Sequence, residues 1–125
     1  MSRGFIDQKS TLLYNVVATA ATDGTFYKYI DFRNGSTLGQ QLTIAGAGTV
    51  TLTVEATMGD YLNEADAASK ATWVDVSTTV LGAATKTANY IGYLEVGYTF
   101  VRYKIVVASS TATTAYSLWV NITRY

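Results

Sequence analysis

Glu55, Glu64, Asp75 and Glu95 are the carboxylates of this 125-residue chain that could share acid–base work. Two carboxyls facing each other across a sugar suffice for glycoside hydrolysis, one giving a proton while the other attacks or activates water. Glu55 and Asp75, however, fall at alternating positions whose apolar neighbours point the other way, which is where solvated charges sit on a half-buried strand. A second group, Asp60, Asn63, Glu64 and Asp66, offers the oxygen atoms that calcium takes. These residues lack the Asp-x-Asp-x-Asp-Gly spacing of a loop that wraps the ion, and capping of a short helix is the simpler role for Asn63. No metal and no cofactor is expected.

Aromatic side chains could do a different chemistry. Tyr90, Tyr93, Tyr98, Trp73 and Trp119 could stack on sugar rings while nearby amides and carboxylates bond the hydroxyls, although aromatics at strand spacing more often fill a core or cover a neighbouring pleat. The absences are more decisive. The chain has no histidine and no cysteine, which removes the commonest general base and metal ligand, every Ser-His-Asp and Cys-His arrangement, disulfides and thiolate sites together. Gly46-Ala47-Gly48 is the richest glycine cluster, but no phosphate-cradling glycine motif opens a helix. A protein that is not an enzyme is expected.

Nine basic and nine acidic residues cancel and are scattered without runs. Nothing in that balance attracts nucleic acid or an anionic membrane. Charged residues make up only 14% of the chain, against about 25% in ordinary soluble proteins. A weakly charged, neutral surface is poorly protected against association, which suits a protein that lives in an assembly. No apolar run approaches the ~18 residues needed to span a bilayer, so a soluble protein made in the cytoplasm is expected.

The elements that must position these residues are strands. Period-2 alternation recurs along the chain, most clearly in Thr49–Glu55, where Val50, Leu52 and Val54 face one side and Thr51, Thr53 and Glu55 the other. Thr11–Ala20, Phe26–Arg33, Gln41–Ala45, Thr72–Ser77, Ala88–Leu94, Tyr98–Ala108 and Ala115–Arg124 read in the same way. The expectation is an all-β, antiparallel β-sandwich, jelly-roll-like, of about eight strands. Asp23-Gly24 and Asn34-Gly35 supply turns, Gly46-Ala47-Gly48 fits a short hairpin, and the last two strands are expected to be hairpin neighbours. The stretch 60–71 breaks the pattern as a short helix capped by Asn63, or a long loop. Residues 1–10 form an arm and residues 11–125 the single domain.

The succession Val50-Thr51-Leu52-Thr53-Val54-Glu55-Ala56, Trp73-Val74-Asp75-Val76-Ser77, Tyr98-Thr99-Phe100-Val101-Arg102-Tyr103-Lys104-Ile105 and Val120-Asn121-Ile122-Thr123-Arg124-Tyr125 resembles small β-sandwich virion proteins of tailed bacteriophages, including capsid decoration (cement) proteins. The resemblance covers about the last three quarters of the chain. It implies a structural protein of the virion, docked on the preassembled major capsid protein lattice at the capsid surface, as a homo-oligomer with a trimer favoured. Partner contacts are then expected from the arm, at Phe5 and Ile6, and from the 61–71 stretch, at Tyr61, Leu62 and Asn63. The Trp73 and Phe100-x-Arg102-Tyr103 arrangement is also similar to galactose-binding-like sandwiches, which implies a carbohydrate- or receptor-binding module as the alternative. Those modules place Asp-Gly just before the tryptophan, whereas Ala71-Thr72 stands here.

Overall fold

The computed structural model describes residues 10–124, with side chains from Leu13 onward. Eight strands and two short helices follow one another as β1 Ser10–Thr19, β2 Gly24–Asp31, β3 Gly35–Ala45, β4 Thr49–Thr57, α1 Glu64–Lys70, β5 Val74–Asp75, α2 Ser77–Leu81, β6 Tyr90–Glu95, β7 Phe100–Ala108 and β8 Ala115–Arg124. They form two antiparallel four-stranded sheets, in the orders β1-β8-β3-β6 and β2-β7-β4-β5. This is the strand order of a jelly roll, two interleaved Greek keys closed face to face.

The core lies between the sheets and is built by alternation. Leu38 and Leu42 of β3 and Leu118, Val120 and Ile122 of β8 face Val50, Leu52 and Val54 of β4 and Val101, Tyr103 and Ile105 of β7, all fully or almost fully buried. One polar pair crosses this interior. The Tyr103 hydroxyl donates to Oε1 of Gln40 at 2.7 Å, and the Gln40 amide nitrogen reaches the Gly92 carbonyl at 3.3 Å. Burial raises the Tyr103 phenol far above its ordinary value, so it remains a donor.

Two expectations about neighbours are corrected here. β7 and β8 are not a hairpin, and Gly46-Ala47-Gly48 does not close one, because each of these connections carries the chain from one sheet to the other. Among the described residues, β4 and β5 are the only consecutive strands that pair, over Glu55↔Asp75 and Ala56↔Val74. Alternation fixes which side of a strand is buried, but a strand with one apolar side satisfies that demand equally well beside its sequence neighbour or opposite it.

Asn63 does cap a helix. Its side chain accepts from the Asp66 amide at 2.9 Å, Glu64 and Asp66 occupy the first turn, and Lys70 the last, where it pairs with Asp66 at 2.8 Å. Replacing Asn63 by alanine is expected to cost about 1 kcal/mol, read as a lower urea midpoint at unchanged slope. The second helix, α2, was not anticipated: Thr72–Ser77 contains a strand of two residues only. Asp75 then accepts the Ser77 amide at 2.8 Å and opens a helical turn that buries Val80 and Leu81 and ends on left-handed Gly82.

Candidate functional site

The expected contact residues are placed as follows. Phe5 and Ile6 lie outside the described residues. Tyr61 sets its ring edge-on against Phe100, centroids 5.9 Å apart, and its carbonyl accepts from the Arg33 guanidinium at 2.9 Å. Arg33 is itself held by Asp31 at 2.6 Å, an arrangement that keeps the Asp31 carboxyl below its ordinary range. Asn63 is spent on its helix. Leu62 alone of these three presents a free side chain, 81% exposed.

Of the carboxylates proposed for acid–base or calcium chemistry, Glu55, Glu64, Asp66 and Asp75 are engaged with the protein itself, whereas Asp60 and Glu95 are exposed. Glu55 pairs with Arg102 at 2.6 Å, and that guanidinium lies over the rings of Tyr27 and Trp73, 4.7 and 4.8 Å from their centroids. Glu55 is thus ion-paired and only 20% exposed, not freely solvated as its strand position suggests. Glu64 accepts the Asp31 amide at 3.2 Å, and Asp66 accepts the Leu62 amide at 2.9 Å. Asp23, Asp31, Asp66 and Asp75 are all held below the usual carboxylate range, chiefly by hydrogen bonds from Ser110, Arg33, Lys70 and Ser77 respectively. That is opposite to the upward shift a carboxyl needs to act as a general acid near neutrality. Among the described residues no three His, Cys, Asp or Glu side chains converge as a metal site, and no helix is long and apolar enough to cross a membrane.

The outer face of the β1-β8-β3-β6 sheet has a different character. Strand register builds it in rows. One row runs Leu13, Asn121, Gly39, Tyr93 across the four strands, and the next runs Asn15, Trp119, Gln41, Ile91. Gly39 leaves the centre without a side chain, so the walls raised by Leu13 on one side and by Ile91 and Tyr93 on the other enclose an open groove of about 370 Å³. Its lining includes Trp119, Asn121 and Gln41 and contains no charged residue. Leu13, Ile91, Tyr93 and Trp119 are 64, 73, 79 and 44% exposed. Isolated exposed apolar side chains are ordinary, but a contiguous patch of them marks an interaction surface.

Of the five aromatics singled out from the sequence, the fold brings Tyr93 and Trp119 together on this face. Tyr90 and Tyr98 pack against the core, and Trp73 belongs to the Arg102 cluster on the opposite sheet. Leu13, Gly39, Gln41, Ile91 and Asn121 were missed as site residues. The signal for two of these was available: Leu13 and Ile91, like Trp119, break the alternation rule by putting large apolar side chains at outward positions. Which of them share a face depends on the order of strands, and that order was not readable.

Compared with known proteins, the chain matches no family model and no curated sequence.

Proposed function

We propose that this is a non-enzymatic structural protein of a virion, a capsid decoration protein that docks on the assembled major capsid lattice. The observation that carries the reading is the groove on the outer face of the β1-β8-β3-β6 sheet, lined by no charged residue and bordered by the exposed Trp119, Tyr93, Ile91 and Leu13. A surface of this kind gains little from isolated ions or small polar ligands and gains most from covering another flat protein surface, where buried aromatic anchors contribute most of the affinity. The jelly-roll strand order agrees, since capsid domains use it widely. So does the low charge of the chain, because weak contacts repeated over many copies add up without any single strong one.

The decisive test is sedimentation of the purified protein with undecorated phage capsids. Co-sedimentation at a fixed ratio to capsomers is expected, together with a loss of about tenfold or more in affinity for Trp119→Ala and Tyr93→Ala. Both side chains lie outside the core, so thermal stability should change by less than about 0.5 kcal/mol.

A carbohydrate-binding role is the second reading, favoured by one specific observation: Tyr93 and Trp119 border a groove whose remaining polar lining includes the Asn121 and Gln41 amides. Retention on a glycan array, lost in the same two variants, with no binding to capsids, would select it.

A further inference from the structure

Four strands end the two sheets, and three of them are blunted. β2 carries Lys28 and Asp31, β5 is two residues long, and β6 has six residues with Gly92 inside it and Glu95 at its end. Short length and charge are the means by which sheet edges avoid pairing with other chains. β1 has neither. Its ten residues, Ser-Thr-Leu-Leu-Tyr-Asn-Val-Val-Ala-Thr, include no charge, no glycine and no proline. It pairs with β8 in unbroken register from Ser10↔Arg124 to Thr19↔Ala115, and among the described residues nothing pairs with its other side. The apolar outer face also continues to this edge, through Leu13 and the 57% exposed Val17.

We propose that β1 pairs with β1 of a second copy of this chain, antiparallel across a two-fold axis at Asn15. The inference goes beyond the docking function and does not depend on it. The occupant follows from the strand's own symmetry. With Asn15 opposite Asn15, each exposed Leu13 lies opposite an exposed Val17 of the second copy, and the two strands overlap over residues 11–19. Cross-strand aliphatic pairs at this spacing are favourable, and a polar amide at the axis is tolerated on the outer face. Sliding by one residue sets the outward row against the inward row of the second copy. Sliding by two sets Leu13 against Asn15 in one direction, where the aliphatic pair is lost at equal overlap, and against Thr19 in the other, where the overlap also shortens to residues 13–19. A self-complementary edge that is best paired in one register with itself is the surface expected of an isologous contact. The product is one continuous eight-stranded sheet in which two apolar grooves lie side by side.

The native chain has no cysteine, so single cysteines report the register directly. The wild-type protein at tens of micromolar is expected to have the mass of a dimer by light scattering, and Asn15→Lys/Val17→Lys that of a monomer with an unchanged circular dichroism spectrum. Under mild oxidation Asn15→Cys should form a covalent dimer. Val17→Cys should not, because the two sulfurs would be separated by about four residues of strand, ~14 Å, well beyond disulfide reach. An equimolar mixture of Leu13→Cys and Val17→Cys should cross-link as a heterodimer. A wild-type monomer, a trimer, equal cross-linking of Asn15→Cys and Val17→Cys, or a dimer indifferent to the two lysines would each overturn the proposal.

Discussion

Replacing Tyr103 by alanine is expected to destabilise the protein by about 3–5 kcal/mol, enough to leave little of a domain of this size folded at moderate temperature. Tyr103 is among the largest fully buried side chains, so truncation opens a cavity between the sheets. It also strands Gln40, 3% exposed, without the hydroxyl that satisfies its carbonyl. Tyr103→Phe separates the two effects. The ring stays, the hydroxyl goes, and the cost should fall to about 1–3 kcal/mol, the penalty of a buried acceptor left unpaired. Adding Gln40→Met to Tyr103→Phe should recover much of that loss, because both polar partners are then gone. Denaturant melts of the wild type, Tyr103→Phe, Gln40→Met and the double variant read the coupling as a double-mutant cycle.

Alkaline pH gives an independent reading of the same residue. Burial raises the Tyr103 phenol well above its ordinary value, so the folded chain keeps a proton that the unfolded chain releases near pH 10. Stability from this group is therefore complete below about pH 10 and is lost as the pH rises beyond it. Tyr103→Phe should flatten that part of the wild-type profile. An unchanged slope would mean that the hydroxyl is not sequestered as described.

Gly46→Ala is expected to be nearly as damaging, although it adds a single methyl group at the surface end of the sandwich. Gly46 has φ +82°, in the left-handed region, and a Cβ there would collide with the Thr113 carbonyl. The obstacle is backbone in a knot of connections. Thr114, fully buried, bonds the Ala47 carbonyl through its hydroxyl, accepts the Thr111 amide at 2.9 Å, and gives its own carbonyl to the Ala21 amide at 2.8 Å. Three crossings between the sheets thus meet at one point, and none can yield without disturbing the others. Conformational strain alone costs about 1–3 kcal/mol, and the collision adds to it. Gly82→Ala is the control. Gly82 also has positive φ, 72°, but open space around it, so only about 1–2 kcal/mol should be lost. Comparable losses at the two glycines would show that the crossing is more pliable than its contacts indicate.

These positions also show how far the amino-acid order could be read. All eight strands, the sandwich class and the Asn63-capped helix were legible, because each depends on local alternation or on a cap. Alternation marks only Gln41–Ala45 as strand, but β3 spans Gly35–Ala45. Its first half fails the apolar pattern because the inward position is Gln40, and only the distant Tyr103 hydroxyl makes that residue acceptable in a core. α2 is concealed because Thr78, Thr79 and Val80 are β-branched and favour strand over helix, while left-handed Gly82 at its end is the local clue. The groove was the least legible feature. Leu13, Gly39, Tyr93 and Trp119 come from four separate strands, and nothing local states that β8 lies between β1 and β3.

That insertion also orders events in time. β8 is the last of the eight strands to leave the ribosome, yet it is the strand that joins β1 to the rest of its sheet, with Val16↔Leu118 on one side and Leu42↔Leu118 on the other. At ordinary synthesis rates roughly 5–20 s separate β1 from β8. Throughout that interval β1 has no permanent neighbour among the described residues. A nascent molecule therefore holds an uncharged, pairing-competent segment in waiting, and its sheet can be completed only after nearly all of the described chain has been made. Such late, non-local closure makes for slow folding, and on a polysome, where neighbouring nascent chains carry the same segment, it gives premature pairing between them time to compete with the native sheet.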